Sequence, residues 1–185
     1  MCCNTKQKIA RALRQLMSER PLSKITVQDL MERAEMKRQS FYYHFQDIYD
    51  VLGWMCEQQL GQPLREDPEE DLEEWCLRLI QLLDEDRAFY RRAFLAGSPE
   101  VLKELCAGLM RPRVAQMLFQ TDDPRQLPEQ QGFVVDFFTR GLTGYVMELC
   151  ASRRELDWVR VRECLHCLMA TLRPAEELCV GVQAG

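Results

Sequence analysis

The chain has 185 residues, with 24 Lys and Arg against 29 Asp and Glu and a formal net charge of −5, which is long enough for one small domain and one larger one with a sizeable core. No run approaches the roughly 18 apolar residues of a membrane span, and Met1–Lys8 holds no hydrophobic signal region, so a cytoplasmic protein with no membrane partner is expected. Nine cysteines, an odd number without an export signal, argue against a disulfide framework.

The charge is unevenly spread. Residues 1–46 carry nine Lys/Arg against four Asp/Glu and the remainder 15 against 25, so a basic head precedes an acidic body, as expected when one end meets a polyanion. Ile9, Ala10, Leu13, Leu16 and Met17 recur at helical spacing and predict a first helix from about Thr5 to Glu19, stopped by Pro21. Thr26 reads as an N-cap with Asp29 three residues on as a short capping-box acid, and Ile25 and Leu30 stand at the two positions of a hydrophobic staple. A second helix therefore starts at Val27, a turn covers Glu35–Lys37, and a third helix starts at Arg38. On that third helix the 100° step puts Phe41 and Phe45 on one side and Gln39, Tyr42 and Tyr43 on the other. One side anchors and the other is free to read.

The run T-V-x-D-L, then A-x-M, then R-x-S-F-Y-Y-H-F resembles the DNA-binding domain of the tetracycline-repressor (TetR-like) family of bacterial transcription regulators. The continuation F-Y-Y-H-F-Q-D-I-Y-D-V-L is similar to the subgroup that includes regulators of dihydroxyacetone-kinase operons. The resemblance implies a double-stranded DNA operator as partner, with Arg38, Gln39 and Ser40 in the first turn of the reading helix at base edges. Lys37, Tyr42, Tyr43 and His44 are expected at the phosphates, and Thr26 completes the expected DNA-binding set. Two positions depart from the family. Glu35 stands where a turn glycine is usual, at about 1–2 kcal/mol if the backbone there is left-handed, and Ile48 replaces the lysine that in many members contacts phosphate.

Beyond the head, a helix from Asp47 to about Gln62 carries Val51, Leu52, Met55, Cys56 and Leu60 as a mechanical link. Asp67-Pro68-Glu69-Glu70 reads as the next helix start, and the acidic run Glu66–Glu74 as first-turn acids rather than a metal site. Trp75–Leu83, Arg87–Leu95, Val101–Phe119 and Gly132–Cys150 read as further helices, broken at Gly97-Ser98-Pro99 and Asp122-Asp123-Pro124. The last helix, Asp157 to about Leu172, shows Trp158, Val161, Leu165, Leu168 and Leu172 at steps of three and four.

The fold class expected is all-α. An N-terminal three-helix helix-turn-helix domain over 1–47 is followed by a helical effector-binding and dimerisation domain over 48–185. The resemblance implies a homodimer interface from the last two helices, assigned to Phe138, Leu142, Tyr145, Trp158, Val161, Leu165, Leu168 and Leu172, with Gly141 and Gly144 allowing close approach. It also implies a cavity for an unknown small-molecule effector, for which Trp54, Trp75, Phe89, Tyr90, Phe94, Met110, Met117, Phe133 and Phe137 are the aromatic and Met candidates. Arg91, Arg92 and Arg140 stand ready for an anionic ligand or as surface charge.

Cys164-Leu165-His166-Cys167 lacks a second ligand pair at zinc-finger spacing, so the two thiols are expected to fill the core, with thiol or metal sensing as the alternative. No metal or cofactor is expected. With only His44 and His166 in the chain, no phosphate loop and no nucleophile elbow, enzymatic activity is not expected either. The function expected is a ligand-responsive repressor acting as a homodimer on a pseudo-palindromic operator. The alternative is a regulator whose C-terminal domain recruits a protein coactivator.

Overall fold

The computed structural model describes residues 2–65, 70–95, 99–121 and 123–172, and among these there is no strand. Helix α1, Cys2–Glu19, buries Ile9, Leu13, Leu16 and Met17 while Lys8, Arg11 and Gln15 stay exposed. It ends two residues before Pro21, whose ring disfavours helical backbone in the residue ahead of it. A 3-10 turn, Leu22–Lys24, leads to α2, Val27–Arg33, and α3 follows at Arg38–Tyr42. Helix α4, Ile48–Cys56, is capped by Asp47, whose carboxylate accepts from the Asp50 N–H at 2.8 Å.

The single helix expected to reach Gln62 instead widens into a π turn at Glu57–Gly61 before α5, Gln62–Leu64. Of the expected helix start Asp67-Pro68-Glu69-Glu70, Asp67, Pro68 and Glu69 lie outside the described residues, and Glu70 precedes the helix instead of opening it. Helix α6 runs Leu72–Glu85 and is capped by Asp71, which accepts from the Glu74 N–H at 2.9 Å. Helix α7 is Arg87–Leu95 and α8 is Pro99–Phe119, with Pro112 inside it; Gly97 and Ser98 lie outside the described residues. A 3-10 turn, Pro124–Gln126, is capped by Asp123, and Asp122 is likewise outside the described residues. Helices α9, Glu129–Ala151, and α10, Trp158–Leu172, complete the chain as described. No described helix is long and apolar enough to cross a membrane.

Packing groups the helices into two compact units, one of residues 1–63 and 82–105 and the other of 64–81 and 106–185. In the first unit α1 packs on α2, α4 and α7, and its core holds Ile9, Leu13, Leu30, Phe41, Leu52 and Tyr90. Arg14 joins α1 to the foot of α7 by an ion pair with Asp86, and its guanidinium lies 4.3 Å from the Phe89 ring centroid. The Tyr90 hydroxyl donates to the Gln59 side-chain oxygen at 3.0 Å, so this ring is buried with its polar end satisfied.

The second unit is built on Leu64, Trp75, Leu79, Ile80, Met110, Val146, Leu165 and Met169. The Trp75 indole N–H donates to the Leu64 carbonyl at 3.1 Å. Glu70 receives Arg78 at 2.5 Å on its side chain and Arg113 at 3.3 Å on its carbonyl. Glu73 meets His166 at 3.2 Å. Of the acids that follow Glu69, Glu70 pairs with Arg78, Asp71 caps α6 and Glu73 meets His166, and no described group of three or more His, Cys, Asp or Glu is placed to hold a metal.

Candidate nucleic-acid interface

The head is set by local chemistry. Thr26 Oγ1 accepts from the Asp29 N–H at 3.1 Å and Asp29 Oδ2 accepts from the Thr26 N–H at 2.8 Å, a reciprocal capping box. The Thr26 hydroxyl also donates to Asp29 Oδ2 at 2.7 Å, and Arg20 lies 2.9 Å from Asp29 Oδ1. These bonds from Thr26, and then Arg20, hold the Asp29 carboxyl down at about 2. Its folded pKa is below the ordinary value, so the cap is intact above the usual carboxylate range and is lost as pH falls toward about 2. Ile25 and Leu30, the staple pair, are both buried.

The turn closes as a Schellman motif, with the Met36 N–H on the Met31 carbonyl at 3.0 Å and the Glu35 N–H on the Glu32 carbonyl at 3.1 Å. This geometry requires a left-handed residue, and Glu35 supplies it at φ 54°. Glu35→Gly should therefore stabilise the chain by about 1 kcal/mol, read as a raised urea midpoint at constant slope. An unchanged or lowered midpoint would show that the strain is relieved elsewhere.

Helix α3 ends at Tyr42, so Tyr43 and Phe45, expected on it, lie just after it; the division into a buried and an exposed side holds across the helix and the residues that follow. Phe41 and Phe45 are buried with ring centroids 6.0 Å apart, and Phe45 meets Trp54 edge-on at 6.1 Å. Lys6 of α1 sits 5.2 Å from the Phe45 ring. Outward stand Lys37, Arg38 and Gln39, all exposed, with Ser40 and His44 half-buried and Tyr42 and Tyr43 at 53% and 79% exposure. Tyr42 rests edge-on against Phe41 at 5.3 Å, but most of both tyrosine rings opens to water. Arg38 Nη2 donates to the Tyr42 hydroxyl at 3.1 Å, and the Tyr43 ring meets His44 edge-on at 4.8 Å. The Tyr42 oxygen thus steadies one end of the guanidinium fork and leaves Nη1 and Nε free.

The effector candidates divide between the two units. Trp54, Phe89, Tyr90 and Phe94 belong to the first, where Trp54 lines a recess of about 280 Å³ with Gln7, Arg11 and Gln58. Lys103 lies 5.8 Å from the Phe94 ring in that unit. Trp75, Met110, Met117, Phe133 and Phe137 belong to the second. There Trp75 and Met110 are fully buried, Met117 is half-buried, and Phe133 and Phe137 stand 70% and 65% exposed. These two rings do not line the interior, because α9 is apolar on two sides and the side that faces inward carries Val135, Leu142, Val146 and Met147.

The candidate interface residues also divide. Leu142, Val161 and Leu165 are buried within their own unit, and Phe138, Tyr145, Trp158 and Leu168 are half-exposed. For Leu172 only the backbone falls within the described residues. The outward stripe of α9 lies one residue earlier than the stripe read from the sequence: Phe133, Phe137, Gly141, Gly144 and Glu148, all exposed at steps of four, four, three and four. That spacing was in the sequence, beside an equally regular neighbour.

Cys164 and Cys167 are exposed and do not fill the core as expected, because Val161, Leu165 and Met169 take the inward side of α10. Among the described residues Cys56, Cys76, Cys106 and Cys150 are buried, and burial, aided by Asp71, pushes the Cys76 thiol up to about 12, where it is unreactive at neutral pH.

Residues 9–53 match the family described as bacterial regulatory proteins, tetR family. The N-terminal end of the chain thus resembles a tetR-type domain, and the described residues form helices and turns without a strand. The chain also resembles the DhaS regulators. It is 32% identical over 94 residues to the HTH-type dhaKLM operon transcriptional activator DhaS of Lactococcus lactis subsp. lactis (strain IL1403), a match that covers 49% of this chain and 49% of the relative. The match therefore spans about half the length of that curated relative.

Among solved structures, the dihydroxyacetone kinase operon activator DhaS superposes at a TM-score of 0.62 with 20% identity, covering 91% of this chain and 96% of that one, and so shares the fold. The TetR family repressor AlkX of Dietzia sp. strain DQ12-45-1b, implicated in biodegradation of n-alkanes, superposes at 0.45 with 15% identity, covering 91% and 95%. The relatives are regulators by name, not enzymes.

Proposed function

We propose that the chain is a sequence-specific DNA-binding transcription regulator that acts as a homodimer, with residues 1–47 as the DNA-binding domain and 48–185 as the helical domain that dimerises and receives a signal. The observation that carries this reading is the exposed set Arg38, Gln39, Tyr42 and Tyr43 over a buried Phe41–Phe45 floor, inside the residues that match the tetR family. Arg38 and Gln39 read bases in the major groove, Arg38 offering Nη1 and Nε to a guanine and Gln39 its amide to an adenine. Thr26, Lys37, Ser40, Tyr42, Tyr43 and His44 fix register on the phosphates and adjoining edges.

Two-fold symmetry follows from affinity. A single short helix reads only a few base pairs, and joining two heads makes the second contact intramolecular. The surface that supports pairing is the outward side of α9 and α10, where Phe133, Phe137 and Val159 are at least 65% exposed and Gly141 and Gly144 let a partner helix come close. A recess of about 140 Å³ opens beside them between Tyr145, Cys164 and Leu168 and receives a side chain of the partner.

Competition binding with operator variants tests the reading role. Arg38→Ala or Gln39→Ala should relax discrimination by about 1–3 kcal/mol at one base position per half-site, with the fold intact. Unchanged discrimination in both variants would remove them from that role. Lys37→Ala should weaken specific and nonspecific binding alike and flatten the salt dependence by about one unit; equal slopes for the variant and wild type would show that Lys37 meets no phosphate.

A second reading concerns the sign of regulation. Repression is the expectation from the sequence, but both DhaS relatives carry the word activator in their names, which supports activation, with the helical domain recruiting a protein coactivator. A reporter behind the bound promoter separates the two: deleting the gene raises output for a repressor and abolishes it for an activator.

A further inference from the structure

A cleft of about 720 Å³ runs between the end of α1, with the turn after it, and one side of α7, wholly inside the first compact unit. Three guanidinium groups line it, from Arg20, Arg91 and Arg92, beside Pro21, Leu22 and Leu95. The one carboxylate in the wall, Glu19, is held by both nitrogens of Arg33 at 2.7 and 3.0 Å, which lowers its pKa. Arg20 is matched by Asp29 at 2.9 Å. Among the described residues, Arg91 and Arg92 have no acidic partner within ion-pair distance. The Nε atoms of Arg20 and Arg91 are shielded from solvent and have no hydrogen-bond partner. Two arginines without a carboxylate partner, in a cleft whose one carboxylate is already held, leave a local excess of positive charge that an anion would balance. The apolar side is equally unfinished, since Leu95 is 58% exposed at the rim.

We propose that this cleft binds a small organic oxyanion, a phosphate monoester or carboxylate on a short apolar chain. Arg91 and Arg92 hold the oxyanion, with Arg20 at its other side, and Pro21 and Leu95 cover the chain. Its regulatory meaning rests on the DNA-binding reading above. Helix α1 packs on both α2 and α7, so an anion that ties Arg91 and Arg92 to the end of α1 favours one placement of α1 and biases the head.

Isothermal titration calorimetry of the full chain with butyl phosphate, hexanoate and inorganic phosphate tests the site. Butyl phosphate or hexanoate should bind once per chain and at least about tenfold more tightly than inorganic phosphate, and whichever of the two wins identifies the anion class. Arg92→Gln, at an exposed position, and Arg91→Gln should each weaken that probe by about tenfold or more, with unchanged melting by circular dichroism. Heat from neither organic probe, equal affinity for inorganic phosphate, or unchanged affinity in the double variant overturns the proposal. So does a loss of random-sequence DNA binding in the double variant with no probe present, which would assign the arginines to DNA. The calorimetric result does not depend on DNA, so a chain that failed to bind DNA would leave the site standing.

Discussion

Phe137→Glu should convert a dimer at micromolar concentration into a folded monomer, seen by sedimentation, while its melting by circular dichroism stays near that of wild type. Phe137 is 65% exposed on the single chain, so a charge there costs the fold little, but under a partner helix it would be desolvated and unpaired at several kcal/mol. That is a hundredfold or more in dimer dissociation, by about 1.4 kcal/mol per decade. Leu165→Glu is the contrasting variant. Leu165 is 1% exposed within its own unit, so the same charge strikes the core and should unfold that unit whatever the oligomeric state. A monomeric wild type, or a Phe137→Glu protein that remains dimeric, would show that the outward stripe of α9 is not the pairing surface. Loss of the dimer should take operator affinity with it, because each head then binds alone.

The second large effect is expected at Phe41. Its side chain is fully buried between the helices of the head and makes ring contacts with Phe45 and Tyr42. Phe41→Ala should cost about 3–5 kcal/mol, and Phe41→Leu markedly less because most of the volume is kept. Urea unfolding measures the first. DNA binding of every sequence should fall together in Phe41→Ala, since the residue positions the reading side without touching DNA. A variant that lost base discrimination but kept its stability would show that the ring is not a floor but a reader.

The head was legible in the sequence because its determinants are local. Thr26 and Asp29 cap within three residues, and Phe41 and Phe45 declare a buried side one turn apart; the left-handed backbone at Glu35 was only a condition that the family resemblance raised, and φ 54° meets it. The body was legible as a series of helices but not as surfaces. In α9 two neighbouring stripes, Val134-Phe138-Leu142-Tyr145 and Phe133-Phe137-Gly141-Gly144, have the same period, and periodicity cannot say which faces inward. Cys164 and Cys167 stand beside Leu165 and Leu168, whose spacing suggests a buried seam, but only Leu165 of the two is fully inward and both thiols fall on the outer side of α10. Arg91 and Arg92 stood out as a pair, but their nearness to Arg20 depends on how α7 lies against α1, a tertiary fact no local pattern carries.

Helix α3 is only five residues long, far below the roughly 12 needed for a helix to hold itself together in water. It exists because two phenylalanines are clamped beneath it, not because Arg38–Tyr42 prefer that shape. The amides of the reading surface are therefore protected by the clamp alone, and they should exchange with solvent through brief opening of that one turn, long before the long helices of the body release theirs. Bound DNA, by pinning the outward side chains, would supply the second jaw and slow that exchange.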